Sequence, residues 1–274
     1  MKRFPLIPAL GILLTVFSCR KAVLEDRTGC PAFIFFHQEG DVQLSGKDYL
    51  KIELRDASTL ELLAGDSPLV EEIVPGEYFL TAGKREEMVA TCISGIRMSS
   101  RSGNRLILPY GNQGDPIYHC VYKARLTGEE LDVPINLSKD HSVITVRFEA
   151  YKDSFPFDII VNANTAGMET MSGRPLKGKF RYAPLETDPG TYIFTVPRQA
   201  DYSLSMDVVA KPGMNPEHGH IESIVLWKAL QNIRGFNWEL ENLPDIDVTL
   251  DINRSTATVG INGWEVESIT QITI

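Results

Sequence analysis

Alternation of apolar and polar residues runs through most of the chain and predicts β-strands. In residues 142–149, Ile144, Val146 and Phe148 alternate with polar or small side chains, as in a strand with one buried face. Gly, Pro, Asp and Ser clusters separate such segments, so the chain is predicted to be all-β, built as antiparallel sandwiches. The other predicted strands cover residues 31–36, 49–54, 78–82, 105–108, 157–161, 190–196, 204–210, 246–252 and 256–261.

Signals for helices are few, and a polar turn divides the strands into two groups. Residues 127–131 are too few to assign as a helix, and residues 221–231 fit a strand or a helix by periodicity alone. A polar turn at residues 137–140 lies between two strand-rich blocks of similar size. We therefore predict two tandem domains, residues 30–138 and residues 139–274.

The N-terminus has the pattern of a bacterial lipoprotein signal peptide. Lys2 and Arg3 precede an apolar run, residues 6–17, and the small residue Ser18 precedes Cys19. The run is shorter than the roughly 20 apolar residues that a permanent membrane helix needs. We predict that residues 1–18 are the signal peptide and that Cys19 is the lipid attachment site.

A lipidated Cys19 would tether the rest of the chain to a membrane. One acyl chain binds weakly, at about 0.8 kcal/mol per buried methylene, whereas the two or three chains of a lipoprotein cysteine bind firmly. Residues 19–29 are mostly polar and lack periodicity, so they are predicted to be a flexible spacer. The remaining chain is expected to be a water-soluble body on this tether.

Composition supports an ordered body and argues against nucleic-acid binding. Hydrophobic residues make up 43% of the chain and charged residues 23%, which is typical of a globular protein. The net charge is −9 and the basic residues are scattered. Because phosphate binding requires a basic face, no nucleic-acid partner is predicted.

The cysteines allow one disulfide bond within the mature chain. If Cys19 is lipidated, Cys30, Cys92 and Cys120 remain, and an odd number cannot all pair. Export to an oxidising compartment favours either a Cys30–Cys92 or a Cys92–Cys120 bond, with three buried thiols as the alternative. No Cys-x-x-Cys pair occurs, so neither a zinc site nor a thioredoxin-like redox motif is predicted.

Two clusters of polar residues are candidate metal sites. His218 and His220 would share one face of a strand, but no further ligand stands at a diagnostic spacing. Asp245, Asp247 and Asp251 also share a strand face, where alternation with apolar residues indicates a solvated surface. With no catalytic, phosphate-binding or dinucleotide motif either, the sequence predicts no metal, no cofactor and no enzyme activity.

The three tryptophans lie in the C-terminal part of the chain, at Trp227, Trp238 and Trp264. Exposed rings could stack on the apolar faces of sugars, which makes a glycan platform one hypothesis. Burial in the sandwich core is the favoured interpretation, because large aromatic side chains contribute most to stability when buried.

Several motifs together resemble one family. A lipoprotein-like signal is followed by two strand-rich halves, and the order of these motifs resembles the fimbrial anchor and minor-subunit family of the type V pili of Bacteroidetes. The motifs are Gly29-Cys30-Pro31, Val196-Pro-Arg-Gln-Ala-Asp201, Gly235-Phe-Asn-Trp238, Leu243-Pro-Asp-Ile-Asp-Val-Thr-Leu-Asp251 and Ile261-Asn-Gly-Trp264.

This resemblance implies an outer-membrane lipoprotein, surface-exposed in a fimbrium, with two transthyretin-like β-sandwich domains. It implies pilin subunits as partners, joined by donor-strand exchange, in which a strand of one subunit fills a groove of another. Residues 265–274 are a candidate donor strand, and the alternative is that they complete their own domain. The expected role is the anchor at the base of a pilus, with a tip or accessory adhesin, or a surface glycan-binding lipoprotein, as alternatives.

Overall fold

The computed structural model describes residues 30–149, 156–211, 220–251, 254, 256–262 and 267–271. The predicted signal peptide, Cys19 and the spacer lie outside the described residues. Among the helices of these ranges, none combines the length and the apolar character needed to cross a membrane.

Short strands account for nearly all the regular structure up to Lys139. Helix α1 (Val70–Ile73) is a single turn that buries its two apolar ends. The strands of this half are β1 (Ala32–Glu39), β2 (Lys51–Asp56), β3 (Leu62–Asp66), β4 (Phe79–Ala82), β5 (Arg85–Ser94), β6 (Ser100–Ser102), β7 (Arg105–Ile107), β8 (Tyr118–Leu126), β9 (Glu130–Asn136) and β10 (Ser138–Lys139).

The second half repeats this organisation with longer strands. Helix α2 (Leu226–Leu230) follows a strand directly and packs its apolar side chains into the core. The strands are β11 (His141–Phe148), β12 (Phe157–Glu169), β13 (Pro175–Tyr182), β14 (Glu186–Asp188), β15 (Thr191–Pro197), β16 (Ser205–Ala210), β17 (His220–Ile224), β18 (Ile246–Asp251), β19 (Thr256–Ile261) and β20 (Glu267–Gln271).

Two sheets form the first half. One has the strand order β4-β1-β9 and the other β10-β8-β5-β2-β3. Their facing sides bury one hydrophobic cluster, in which Phe36, Ile52, Leu54, Leu126 and Val133 are fully enclosed. Each such side chain contributes roughly 1.5–3 kcal/mol on burial, so the cluster is the main source of stability in this half.

Two further sheets enclose a second hydrophobic cluster. One has the order β14-β15-β11-β18-β19-β20, and the other has the order β17-β16-β12-β7-β6 with β13 also paired to β12. Tyr192, Phe157 and Phe194 are the largest fully buried side chains of this cluster. Alternation along β18, where Ile246, Val248 and Leu250 are buried, shows how the sequence pattern selects the inner face.

A segment of the first half reaches across to the second. We call residues 95–117, which connect β5 to β8, the arm. The arm carries β6 and β7, and β7 pairs with β12 of the second half through Leu106 and Met168. Gly167 lies at this junction with φ +143° and its Cα faces the Leu106 carbonyl so closely that a side chain would collide with it. The arm therefore joins the sheets of the two halves.

The prediction of an all-β fold with antiparallel sheets is confirmed. Two pairs differ from it, since β1 runs parallel to β9 and β11 runs parallel to β18. In both halves an early strand pairs with one much later in sequence, a relationship that periodicity cannot reveal. Residues 221–231 contain both predicted alternatives, the end of β17 and then α2. The division into domains at residues 138 and 139 stays a prediction.

Candidate functional site

An open cleft of about 1050 Å³ lies between the two halves. On one side it is bordered by β8 and β9, and on the other by the turn after β12 and by the loops that follow β15 and α2. The wall mixes aromatic, amide and charged groups, represented by Tyr122, Asn136, Ser172, Arg174, Tyr202 and Glu239. Such a surface can take up a polar chain that also carries apolar groups.

Two strand edges are open beside this cleft. β8 pairs with β5 along one side, while on its other side only Tyr118 and His119 are paired, with β10. β9 pairs only with β1 among the described strands, which leaves its outer edge unpaired. β8 and β9 follow each other in sequence yet belong to different sheets. The gap between them therefore exposes backbone donors and acceptors to a further strand. We call it the open edge.

Arg198 holds the far wall of the cleft. Its guanidinium donates from Nε to Oδ1 of Asp140 (2.7 Å) and from Nη1 to the carbonyls of Trp238 and Leu240, the latter at 2.7 Å. Nη2 donates to the Glu241 carbonyl at 3.1 Å. Because one side chain bonds the start of β11 and the loop after α2, it fixes their relative positions.

His119 connects β8 with the turn that follows β12. Its Nε2 donates to the Thr170 carbonyl at 2.6 Å, and its Nδ1 lies 3.6 Å from Oδ2 of Asp140. Burial lowers the pKa of His119 and raises the pKa of Asp140, although the Arg198 charge opposes the latter shift. The imidazole is therefore neutral near pH 7 and serves as a structural hydrogen-bond donor across the two halves.

Some buried polar atoms behind the cleft wall have no hydrogen-bond partner among the described residues. They include Oε1 of Gln199, Nε1 of Trp238 and Oδ2 of Asp140. Each of these residues belongs to the lining of the cleft. Since an unpaired buried polar atom costs about 1–3 kcal/mol, these atoms lower the local stability behind the wall.

The tryptophans take different positions. Trp238 is only 6% exposed and packs edge-to-face on Phe236, in agreement with the favoured interpretation of core burial. Trp227 is half-buried and stacks on Tyr202 with ring centres 4.2 Å apart. Tyr202 is 66% exposed at the cleft. Trp264 lies outside the described residues, so its predicted position is untested.

The metal hypotheses find little support in the described ranges. The side chains of His218 and His220 lie outside them. Each of the three predicted candidate carboxylates in or directly before β18 has a basic partner: Asp245 with Lys139 (2.6 Å), Asp247 with Arg147 (3.0 Å) and Asp251 with Arg254 (3.3 Å). No group of three or more metal-ligating side chains occurs in the part of the chain that the structure describes.

All three cysteines beyond Cys19 are free thiols in the structure. Cys30 is exposed, while Cys92 and Cys120 are buried. A Cys30–Cys92 bond stays a prediction. The strand register places Cys120, the other predicted partner, directly opposite Cys92.

The candidate donor strand is partly described. Residues 267–271 form β20, which pairs with β19 in its own sheet. Residues 265–266 and 272–274 lie outside the described residues. The pairing matches the alternative in which this segment completes its own domain.

The site residues Arg198, Asp140 and His119 were not identified from the sequence. Arg198 and Trp238 fall within motifs that carried the family resemblance, Val196–Asp201 and Gly235–Trp238. Their position within these motifs was the signal by which the sequence could have identified Arg198 and Trp238. His119 and Asp140 carried none, because their pairing arises from the approach of the two halves.

Comparison with solved structures finds the same fold in fimbrial and adhesin proteins. No protein-family model matches the chain, and no curated protein matches it at a significant level. Among solved structures, the fimbrial anchor protein Mfa2 from Porphyromonas gingivalis has a TM-score of 0.62 at 12% identity, over 87% of this chain and 100% of that chain.

Two structures from Bacteroides are similar to the same degree. A candidate polysaccharide-binding protein from Bacteroides thetaiotaomicron has a TM-score of 0.62 at 15% identity, over 89% of this chain and 98% of that chain. A candidate adhesin from Bacteroides ovatus has a TM-score of 0.62 at 13% identity, over 89% and 96%. At these identities the likeness shows a shared fold, and the predicted resemblance to fimbrial anchor and minor-subunit proteins is confirmed at that level.

Proposed function

We propose that this protein is a non-enzymatic, lipid-anchored fimbrial subunit that holds the base of a type V pilus to the outer membrane. The observation that carries the proposal is the shared fold with a fimbrial anchor protein over that protein's full length. The lipoprotein-like N-terminus supports it, because an anchor needs a firm hold on the membrane. Cys19 is the proposed attachment site.

The partner is a pilin that contributes a β-strand. The open edge between β8 and β9 supports this part of the proposal, since a strand laid there would find unpaired backbone groups and a cleft for its side chains. In this arrangement the protein accepts a strand, while its own β20 stays paired with β19.

Fractionation of the native host tests the anchor role. Surface fibres are sheared off and separated from membranes, and the protein is located together with the subunits that co-purify. Recovery in the outer membrane bound to a pilin is the expected result. Recovery along or at the end of released fibres would contradict the anchor role and identify a stalk or tip subunit.

Replacement of the lipidated cysteine tests the tether. Cys19→Ala should release the protein from membranes, because no acyl chain can then be attached. Cys30→Ala is the matched control, since Cys30 is an exposed cysteine near the same end of the chain, and it should leave the protein in the membrane. Retention of the Cys19→Ala protein would overturn the lipid proposal.

A photoreactive phenylalanine analogue tests the open edge. Placed at Tyr122, on β8 and in the cleft wall, it should cross-link to pilin in the assembled fimbrium. Tyr110, exposed on a loop, is the control position and should give no such adduct. Equal yields from the two positions would remove the open edge as the acceptor.

A glycan-binding surface lipoprotein is the second candidate function. One observation favours it, the exposed Tyr202 ring in the cleft lining, which stacks on Trp227 and offers a flat face to a sugar. Recovery of the protein in membranes with no pilin, in the fractionation described above, would favour this function over the anchor.

A further inference from the structure

Cys92 and Cys120 lie directly opposite each other on the paired antiparallel strands β5 and β8. Opposite residues in such a pair have Cα atoms about 4.5–5.5 Å apart. Disulfide bonds span Cα distances of about 4.4–6.8 Å, so the register satisfies their requirement. Both cysteines also belong to the same hydrophobic cluster, which means that their side chains leave the sheet on the same face.

The two cysteines stand at the base of the arm. Cys92 comes two residues before the end of β5, and Cys120 comes two residues after the start of β8. The chain between them contains the arm, in which β6 pairs with β7 and β7 pairs with β12. A covalent bond between the two cysteines would close this excursion at its base.

We propose that Cys92 and Cys120 form a disulfide bond that closes the base of the arm in the exported protein. The proposal rests on the proposed export only for its oxidising compartment. The oxidant is a small-molecule or protein disulfide. One cysteine thiolate attacks it to form a mixed disulfide and release one thiol, and the second cysteine displaces the other thiol. Two cysteine thiols are thereby oxidised and one disulfide is reduced to two thiols.

Burial determines when this reaction happens. Cys92 is 1% exposed and Cys120 8% exposed, so a reagent cannot reach either sulfur in the folded chain. Burial also raises the pKa of both thiols, which keeps them in the unreactive protonated form. The bond therefore forms while β5 and β8 are still accessible during folding. Once enclosed, it resists reductants until the protein unfolds.

Oxidative refolding of the mature chain tests the proposal. The protein, carrying Cys19→Ala and hence no lipid, is unfolded under reducing conditions and refolded with oxidised glutathione. Free thiols are then alkylated, and the protein is digested without reductant. Mass spectrometry should find the Cys92 and Cys120 peptides linked, with Cys30 alkylated. Three alkylated cysteines, or a linked peptide that contains Cys30, would overturn the proposal.

Thermal unfolding supplies a second measurement. Refolding under reducing conditions should lower the midpoint by roughly 5 °C or more relative to the oxidised protein. Cys92→Ala should abolish this difference, and the matched variant Cys30→Ala should keep it. An equal difference in all three proteins would contradict the proposed bond. Since neither measurement uses membranes or pilin, their outcome is independent of the fractionation that tests the anchor role.

Discussion

Arg198 and Asp140 form a buried ion pair, with Nε of the arginine 2.7 Å from Oδ1 of the carboxylate. The pair lies at the point where the first half ends and β11 begins, and Arg198 also binds carbonyls of the loop after α2. One side chain thus combines charge compensation with backbone hydrogen bonds. This relationship makes the cleft wall sensitive to single substitutions.

Arg198→Ala should lower the free energy of unfolding by about 3–5 kcal/mol, because it leaves a buried carboxylate without its counter-charge and several carbonyls without donors. Urea denaturation measures the change. Arg147→Ala is the control, since Arg147 pairs with Asp247 at a similar distance but is 55% exposed, and it should cost about 0–1 kcal/mol. Similar losses in the two variants would refute this account of Arg198.

Stability should fall as the pH decreases from about 6.5 to about 4. Burial lowers the pKa of His141 to about 4 from its ordinary value of 6.5. Over this interval the unfolded chain binds a proton that the folded chain does not, so unfolding becomes easier as the pH decreases. The loss of unfolding free energy due to His141 is on the order of 2–3 kcal/mol. The stabilising contribution of His141 is fully present only above pH 6.5.

The variant His141→Asn identifies this contribution. Its side-chain amide can replace Nδ1 of the imidazole as the donor to the Ile117 carbonyl, which lies 3.0 Å away, and it does not titrate. Urea denaturation at several pH values should give a smaller decrease for the variant than for the native protein. An unchanged slope would assign the pH dependence to other groups.

Gly167→Ala should detach the arm from β12. The new methyl group would lie 2.0 Å from the Leu106 carbonyl oxygen, and the φ angle of +143° is unfavourable for alanine. We expect a loss of roughly 2–3 kcal/mol in unfolding free energy and faster proteolysis within residues 95–117. Gly103→Asn is the control, because it lies at the tip of the arm with φ +61° and open space around it. Proteolysis of the arm at the native rate in Gly167→Ala would show that its pairing tolerates the change.

Fluorescence quenching should distinguish the tryptophans. A protein with Trp227→Phe and Trp264→Phe retains only Trp238, which is enclosed by Phe236 and the core. We expect blue-shifted emission and weak quenching by acrylamide. The partner variant, with Trp238→Phe and Trp264→Phe, retains the half-buried Trp227 and should be quenched more strongly. Strong quenching of Trp238 would revive its use as a sugar platform.

Alternation along the sequence predicted some strands with one buried face and missed others, such as β9, and it gave no signal for a strand buried on both faces. β18 and β19 were predicted almost to the residue, because Ile246, Val248 and Leu250 alternate with polar side chains. β5 was missed, since residues 88–94 are buried on both faces and show no alternation. Alternation of apolar and polar residues therefore reveals strands, but it disappears where a strand lies in the middle of a sheet and is buried on both faces.

The cleft depends on contacts between residues far apart in the chain. His119 and Thr170 meet only because the two halves pack together, and the same holds for Leu106 on β7 and Met168 on β12. The predicted domain boundary at residue 138 puts β6 and β7 in the first domain. In the structure, these two strands are part of a sheet of the second half. Local periodicity gives no information about which distant strand a segment pairs with.

The position of β1 has a mechanical consequence for a tethered protein. β1 is the first described strand after the predicted spacer, and it lies between β4 and β9 in its sheet. Its ladders comprise four register pairs with β4 and seven with β9. In the proposed anchor, a pull on the N-terminal end directed along β1 would act across the direction of these hydrogen bonds, so they would share the load and break together. Shear loading of this kind would let the proposed anchor bear the pull of a fibre without its strands separating one hydrogen bond at a time.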